Sequence, residues 1–156
     1  KRQKGFLRIC NEDMTETYIA EEAHEKINDL LEFRLREINE TKEIKGTVAS
    51  WPNKEDYIIS GRAFVMTTAF DAEKVIQAFR DGDILVATQT HPNLVPQMKE
   101  AAAIVTDEGG ITCHAAIVSR ELKKPCIIGT RLSTKLFITG DMLELDLKLG
   151  TIKKIK

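Results

Sequence analysis

The amino-acid sequence predicts a mixed α/β domain with an N-terminal amphipathic helical extension, and three observations carry that reading. Between residues 84 and 128, short wholly apolar runs alternate with helical patterns, the mark of strands covered on both faces by helices. Residues 19–38 hold a long apolar period of helical spacing. Two further strand-like runs, around Gly140-Asp141 and Leu149-Gly150, close the chain. The expected division is residues 1–44 as helical extension and linker and residues 45–156 as the main domain.

In order, residues 1–14 form a polar, irregular lead-in with a small apolar patch at Phe6, Leu7 and Ile9 that leaves room for a short strand. Thr15 or Thr17 can cap the helix that follows. Its stripe runs through Ile19, Ala23, Ile27, Leu30, Leu31, Leu35 and Ile38, uninterrupted by Gly or Pro. Residues 42–56, with Gly46, Trp51, Pro52 and Asn53, lack a sustained period and read as a connector. Residues 57–66 predict strands on either side of a turn or bulge at Ser60-Gly61, and residues 71–79 a short helix capped by Asp71.

Asp81-Gly82-Asp83 marks a turn before a buried strand at residues 84–87. His91-Pro92-Asn93 starts a turn into a short helix with Pro96 in its first turn, where a missing amide donor is harmless. Residues 102–106 form another buried strand, residues 107–111 a loop, and Cys113 to Leu122 a helix stopped before Pro125. Cys126 to Ile128 is a third buried strand, closed by Gly129. A hairpin or meander spans residues 136–155.

Composition narrows the function classes. Apolar residues make up 42% and charged residues 30% of 156, a soluble globular profile, and the formal charge of -1 gives no electrostatic reason to expect nucleic acid or a membrane surface as partner. No apolar run approaches transmembrane length and no signal-peptide pattern opens the sequence. Three cysteines without framework spacing suit reduced thiols, so a cytoplasmic setting is expected. A first residue of Lys1 fits a segment excised from a longer polypeptide.

The chemistry concentrates at Gly109-Gly110-Ile111-Thr112-Cys113-His114-Ala115. Glycines let backbone amides approach a phosphate closely, and the free amides of a first helical turn add an anion site reinforced by the helix dipole. With Thr112 as N-cap, His114 becomes the second helical residue. The positive helix end disfavours a charged ring and keeps it neutral and nucleophilic. Gly109, Gly110, Thr112, Cys113 and Ala115 are the expected supports of a phosphoryl group on His114. At 100° per residue, Ala115, Ser119 and Leu122 form the packing face, while Arg120 falls away from His114 and suits bracing the loop. By its chemistry alone, the same stretch also fits a capping threonine and a structural, hydrogen-bonded histidine.

The whole stretch from Ala101 to Leu122, followed by Pro125-Cys126-Ile127-Ile128-Gly129-Thr130, resembles the mobile phosphohistidine domain of PEP-utilising enzymes. That family includes phosphoenolpyruvate synthase, pyruvate phosphate dikinase and the first enzyme of the bacterial sugar phosphotransferase system. Gly82 to Ala87, Thr90, Pro92 and Pro96-Gln97-Met98 are similar to the family's preceding strand and turn, and Gly140-Asp141, Glu144, Asp146 and Gly150 to its closing strands. Gly46 to Ser50 and Ser60-Gly61-Arg62 resemble its entry, so the likeness covers roughly residues 45–155. Asn93 stands where many relatives carry Asp.

The resemblance implies a swivelling β/β/α domain whose His114 attacks a donor through Nε2 and carries the phosphoryl group to a second active site. It implies an ATP-grasp domain and a pyruvate/PEP barrel as partners, each using ATP or PEP with Mg²⁺ in its own site. No cofactor is implied on this domain, which is then part of a phosphotransferase and not a complete enzyme. A non-catalytic binding or regulatory module that retains the fold is the alternative.

Other residues carry blander expectations. Cys113 and Cys126 match no zinc spacing, so no metal site is expected; Cys113 shapes the pocket and Cys126 sits in a strand. His24 reads as a surface residue, and His91 as structural ahead of a phosphate-site role. Asp107-Glu108 could restrain the loop or repel a mispositioned phosphoryl group, with a solvated loop pair as the default reading.

Overall fold

The computed structural model describes residues 6–10, 15–19, 28–29, 43–67 and 77–155. The chain divides into two compact units, Lys1–Thr41 and Lys42–Lys156. The first contains strands β1 (Phe6–Cys10) and β2 (Thr15–Ile19), which pair antiparallel from Phe6 opposite Ile19 to Cys10 opposite Thr15. This corrects the expected helix start at Thr15 or Thr17. Thr15, Thr17, Tyr18 and Ile19 are strand-favouring residues, and pairing with β1 satisfies their backbone where a cap does not. Residues 28 and 29 are helical; the rest of the expected amphipathic helix, His24 included, lies outside the described residues.

The second unit is a mixed α/β domain with a nearly closed sheet. Its strands are β3 (Glu43–Lys45), β4 (Thr47–Ser50), β5 (Ile58–Met66), β6 (Ile84–Ala87), β7 (Ala103–Thr106), β8 (Cys126–Ile128), β9 (Met142–Asp146) and β10 (Thr151–Lys154). Their order across the sheet is β3-β10-β9-β5-β6-β7-β8-β4. The expected connector over residues 42–56 therefore contains two strands that occupy opposite edges of one sheet, although only Gly46 separates them. A three-residue and a four-residue strand are too short to show a period in the sequence.

Closure depends on backbone proximity at that glycine. Gly46 N donates to Gly150 O at 2.8 Å, and a Cβ on Gly46 would lie 2.6 Å from Ile127 Cγ2 and 2.7 Å from Ile128 O. Ser60-Gly61 does not break its strand: β5 runs unbroken for nine residues. Gly61 instead allows close packing, since a Cβ there would stand 3.2 Å from Ile84 Cγ1. Residues 71–76 of the expected short helix lie outside the described residues, and Gln77 to Phe79 is turn and coil.

Strands β5, β6, β7 and β8 are mutually parallel, and β6, β7 and β8 are buried at every position, as their apolar runs predict. A 3₁₀ turn (Pro92–Leu94) leads into helix α1 (Val95–Glu100) with proline in its first turn. Helix α2 (His114–Glu121) follows β7, and α3 (Ser133–Leu136), absent from the sequence reading, follows β8. The closing hairpin is β9–β10.

Under α2 the core includes Phe64, Leu85, Met98, Ile104, Ala116 and Ile128, with Phe79 edge-on to Phe64 at 5.3 Å between ring centroids. At the opposite end of the parallel strands, Arg62 grips Asp83 through Nε at 2.9 Å and Nη2 at 2.5 Å. Asp83, only 3% exposed, also accepts from Arg80 N, so its burial is matched by charge-assisted bonds.

Candidate functional site

The loops that build the site all leave the carboxyl ends of the parallel strands, where open α/β sheets place their ligands. Residues 88–91 follow β6, residues 107–113 follow β7, and residues 129–132 follow β8. These loops are stitched together. Glu108 N donates to Thr88 O at 3.0 Å, Gln89 Nε2 pairs with the Glu108 carboxylate, and Thr106 Oγ1 donates to Glu108 O at 2.8 Å.

His114 is the first residue of α2, and the N-cap is Cys113, in extended conformation with no side-chain cap bond. This corrects the assignment of Thr112 as cap and His114 as second helical residue. Cys113 N donates to Gly110 O at 2.9 Å, a turn that holds Thr112 outside the helix and exposed. The shift moves the free first-turn amides by one position. The helical ladder begins with Ile117 N to Cys113 O at 3.0 Å, so the amides of His114, Ala115 and Ala116 precede it. Ala115 is buried, so what it can offer a ligand is its amide and not its side chain.

Gly109 adopts φ +115°, a conformation that side-chain-bearing residues avoid, and a Cβ there would meet Cys113 Sγ at 2.7 Å. Cys113 thus packs into the space that Gly109 leaves. A Cβ on Gly110 would meet nothing within 4 Å, so that glycine leaves the loop surface open. Arg120 braces the loop: Nε donates to Ala116 O at 2.8 Å and Nη2 to Ile111 O at 2.5 Å. The helix buries Ala115, Ala116 and Ser119, close to the expected packing face.

The imidazole partner is Thr90, whose Oγ1 lies 2.9 Å from His114 Nδ1. Thr90 is buried, 24 residues earlier in the chain, and local spacing gives no sign of the pairing. Its sequence signals are its place just after an apolar strand and its part in the likeness to the family's strand and turn. With Nδ1 engaged, Nε2 is the ring nitrogen left for a ligand.

Cys126 is fully buried below the helix, and burial pushes its thiol from 9.0 up to about 12 against the opposing bond from Ser119. Asp107 corrects the default of loop solvation: it is 5% exposed and hydrogen-bonded to the loop after β8. Glu108 is exposed. His91 is exposed and lines, with Met66, Thr67, Thr88, Gln89 and Asn93, a cleft of about 170 Å³ beside the Thr90 segment. Among the described residues, no helix is long and apolar enough to cross a membrane.

Fold and site together define a class: an α/β domain that presents one histidine at a helix start, above the carboxyl ends of parallel strands. Over residues 79–150, just under half its length, the chain matches the family described as PEP-utilising enzyme, mobile domain. It is 52% identical over 95 residues to a phosphoenolpyruvate synthase of Pyrococcus furiosus, covering 61% of this chain and 11% of that protein. It is 44% identical over 132 residues to a probable phosphoenolpyruvate synthase of Pyrococcus abyssi, covering 82% of this chain and 15% of that protein. The chain thus spans only a small fraction of the length of these relatives. Among solved structures, a Thermococcus kodakaraensis aconitase X structure aligns with a TM-score of 0.51 over 73% of this chain and 98% of its own, at 17% identity. That likeness is one of fold.

Proposed function

We propose that this chain is the phosphoryl-carrier domain of a phosphoenolpyruvate synthase- or pyruvate phosphate dikinase-like phosphotransferase, with His114 as the transient acceptor. The observation that supports it most is the Thr90 Oγ1 to His114 Nδ1 pairing at 2.9 Å. It orients the ring with Nε2 towards whatever enters the site and gives Nδ1–H an acceptor as charge develops on the imidazole.

In the transfer step the Nε2 lone pair attacks phosphorus, the N–P bond forms, and the bond from phosphorus to the donor's leaving group breaks with its electron pair going to that group. The ring passes through an imidazolium whose Nδ1–H donates to Thr90 before the proton is given up. The amides of His114, Ala115 and Ala116 and the open face at Gly110 suit the phosphoryl oxygens, and the exposed Thr112 hydroxyl lies on the same loop. The swivelling motion, the ATP-grasp and pyruvate/PEP barrel partners, and their ATP and Mg²⁺ belong to the same reading. Similarity to full-length phosphoenolpyruvate synthases supports it.

Incubation with ATP or PEP and the cognate partner domains is expected to give an acid-labile, base-stable adduct on His114. Equal labelling of His114→Ala would falsify the carrier reading.

A further inference from the structure

The Asp107 carboxylate is buried at the foot of the glycine loop and faces only donors among its described partners. Oδ1 accepts from Ser133 N and Ser133 Oγ, both at 2.6 Å, and from Thr130 Oγ1 at 2.9 Å. Oδ2 accepts from Thr134 N at 3.2 Å and from the Thr134 hydroxyl. Its backbone is held as well: Asp107 N donates to Ala87 O at 3.0 Å, and Arg131 N donates to Asp107 O at 2.9 Å.

One residue therefore ties together the ends of three parallel strands, β6 through Ala87, β7 through itself and β8 through residues 130–134. Arg131 is driven into a left-handed conformation, φ +68°, between the residues that the carboxylate holds. Such a conformation is strained for a non-glycine residue and persists only where surrounding bonds over-determine it.

We propose that Asp107 is a positioning residue for the His114 imidazole. From Asp107 the chain passes to Glu108, whose amide is bonded to Thr88 O, and then to Gly109, on which Cys113 packs. The Thr88 segment carries Thr90, and Cys113 caps the helix that begins at His114. Both sides of the Thr90–His114 contact are thus mounted on the segment that Asp107 pins. A carboxylate suits this place better than an amide. Ser133 N–H and Thr134 N–H cannot reverse their roles, so an asparagine NH₂ on either side would face a donor. Loosening the pin lets the Thr90–His114 distance vary, and the ring then relaxes towards the tautomer mixture of a free imidazole.

The catalytic consequence rests on the carrier reading; the orientation of the ring does not. The test uses the whole chain with ¹⁵N-labelled imidazoles, the His114 signals being identified by their loss in His114→Ala. In the wild type, the neutral ring is expected as the Nδ1–H tautomer. Asp107→Asn should shift the ¹⁵N resonances towards the free-imidazole mixture, and Thr134→Val, which removes one donor at a partly exposed position, should shift them the same way by less. A folded Asp107→Asn with wild-type ring resonances overturns the proposal. If Asp107→Asn does not fold, unchanged resonances in Thr134→Val overturn it.

A second arm uses phosphoramidate as donor. Nε2 displaces ammonia from phosphorus, the ammonia leaving with the proton that the ring gives up at Nδ1. Asp107→Asn is expected to lower the limiting rate about tenfold while leaving the half-saturating concentration unchanged. A changed half-saturation with an unchanged limiting rate counts against positioning. Failure of the wild type to take up phosphate at His114 counts against the carrier reading and leaves the tautomer result to decide the role of Asp107.

Discussion

The Thr90 hydroxyl pairs with His114 Nδ1, and a single methyl-for-hydroxyl exchange addresses that contact. Thr90→Val preserves shape at a buried position and removes the hydroxyl that pairs with Nδ1. A net hydrogen bond of this kind contributes about 1–2 kcal/mol, so on the carrier reading phosphorylation of His114 should slow about tenfold with the fold intact. A wild-type single-turnover rate in Thr90→Val would remove the contact from the mechanism. At this scale the sequence was partly legible. His114 stands out because it follows a glycine loop at a helix start within a stretch that resembles a known family, whereas Thr90 and Asp107 act through partners about 24 residues away, which no local spacing encodes.

At the scale of the element, α2 and its entering loop behave as one unit. Gly109 and Cys113 interlock, and Arg120 reaches back to Ile111 O from the helix's last turn. Gly109→Ala demands a side chain at φ +115° and sets its Cβ 2.7 Å from Cys113 Sγ. It should destabilise the domain by about 1–3 kcal/mol, read as a lowered urea midpoint, and depress labelling of His114 further than that loss explains. A variant with both wild-type midpoint and wild-type labelling would show that the interlock is dispensable. The helix was legible because its apolar positions repeat and Pro125 lies beyond its end. The cap was read one residue early because Thr112 is the better capping residue by type, and only the Gly110–Cys113 turn withholds it. β2 was missed for a related reason: an apolar period can begin inside a strand when the partner strand lies just upstream.

At the scale of the whole domain, closure of the sheet and burial beneath the site set stability. Gly46→Ala would push a methyl group against Ile127, Ile128 O and Thr130 at 2.6–2.8 Å, where the backbone cannot give. The expected loss is about 3 kcal/mol, visible as a lower thermal midpoint; an unchanged midpoint would mean that the edges do not meet as described. Cys126 adds a pH dependence of known sign. Its folded thiol titrates at about 12 against 9.0 when free, so between these values the unfolded chain loses the proton first and the native state loses stability as pH rises. Comparing urea midpoints of wild type and Cys126→Ala from pH 8 to 11 should show a steeper decline in the wild type. Parallel curves would contradict the burial argument.

What the sequence determined by itself is the local and periodic part of this protein. The buried strands β6, β7 and β8, the helix carrying His114, the closing hairpin and the glycine loop all follow from runs, periods and backbone-permissive residues within a few positions of one another. What only the tertiary structure decided is what meets across the fold: β3 and β4 at opposite edges of one sheet on either side of Gly46, Thr90 on the imidazole, and a buried Asp107 among the donors of the β8 loop. The physical reason is that chain connectivity makes neighbours at low entropic cost, whereas these contacts exist only once parallel strands have brought distant loops to one end of the sheet.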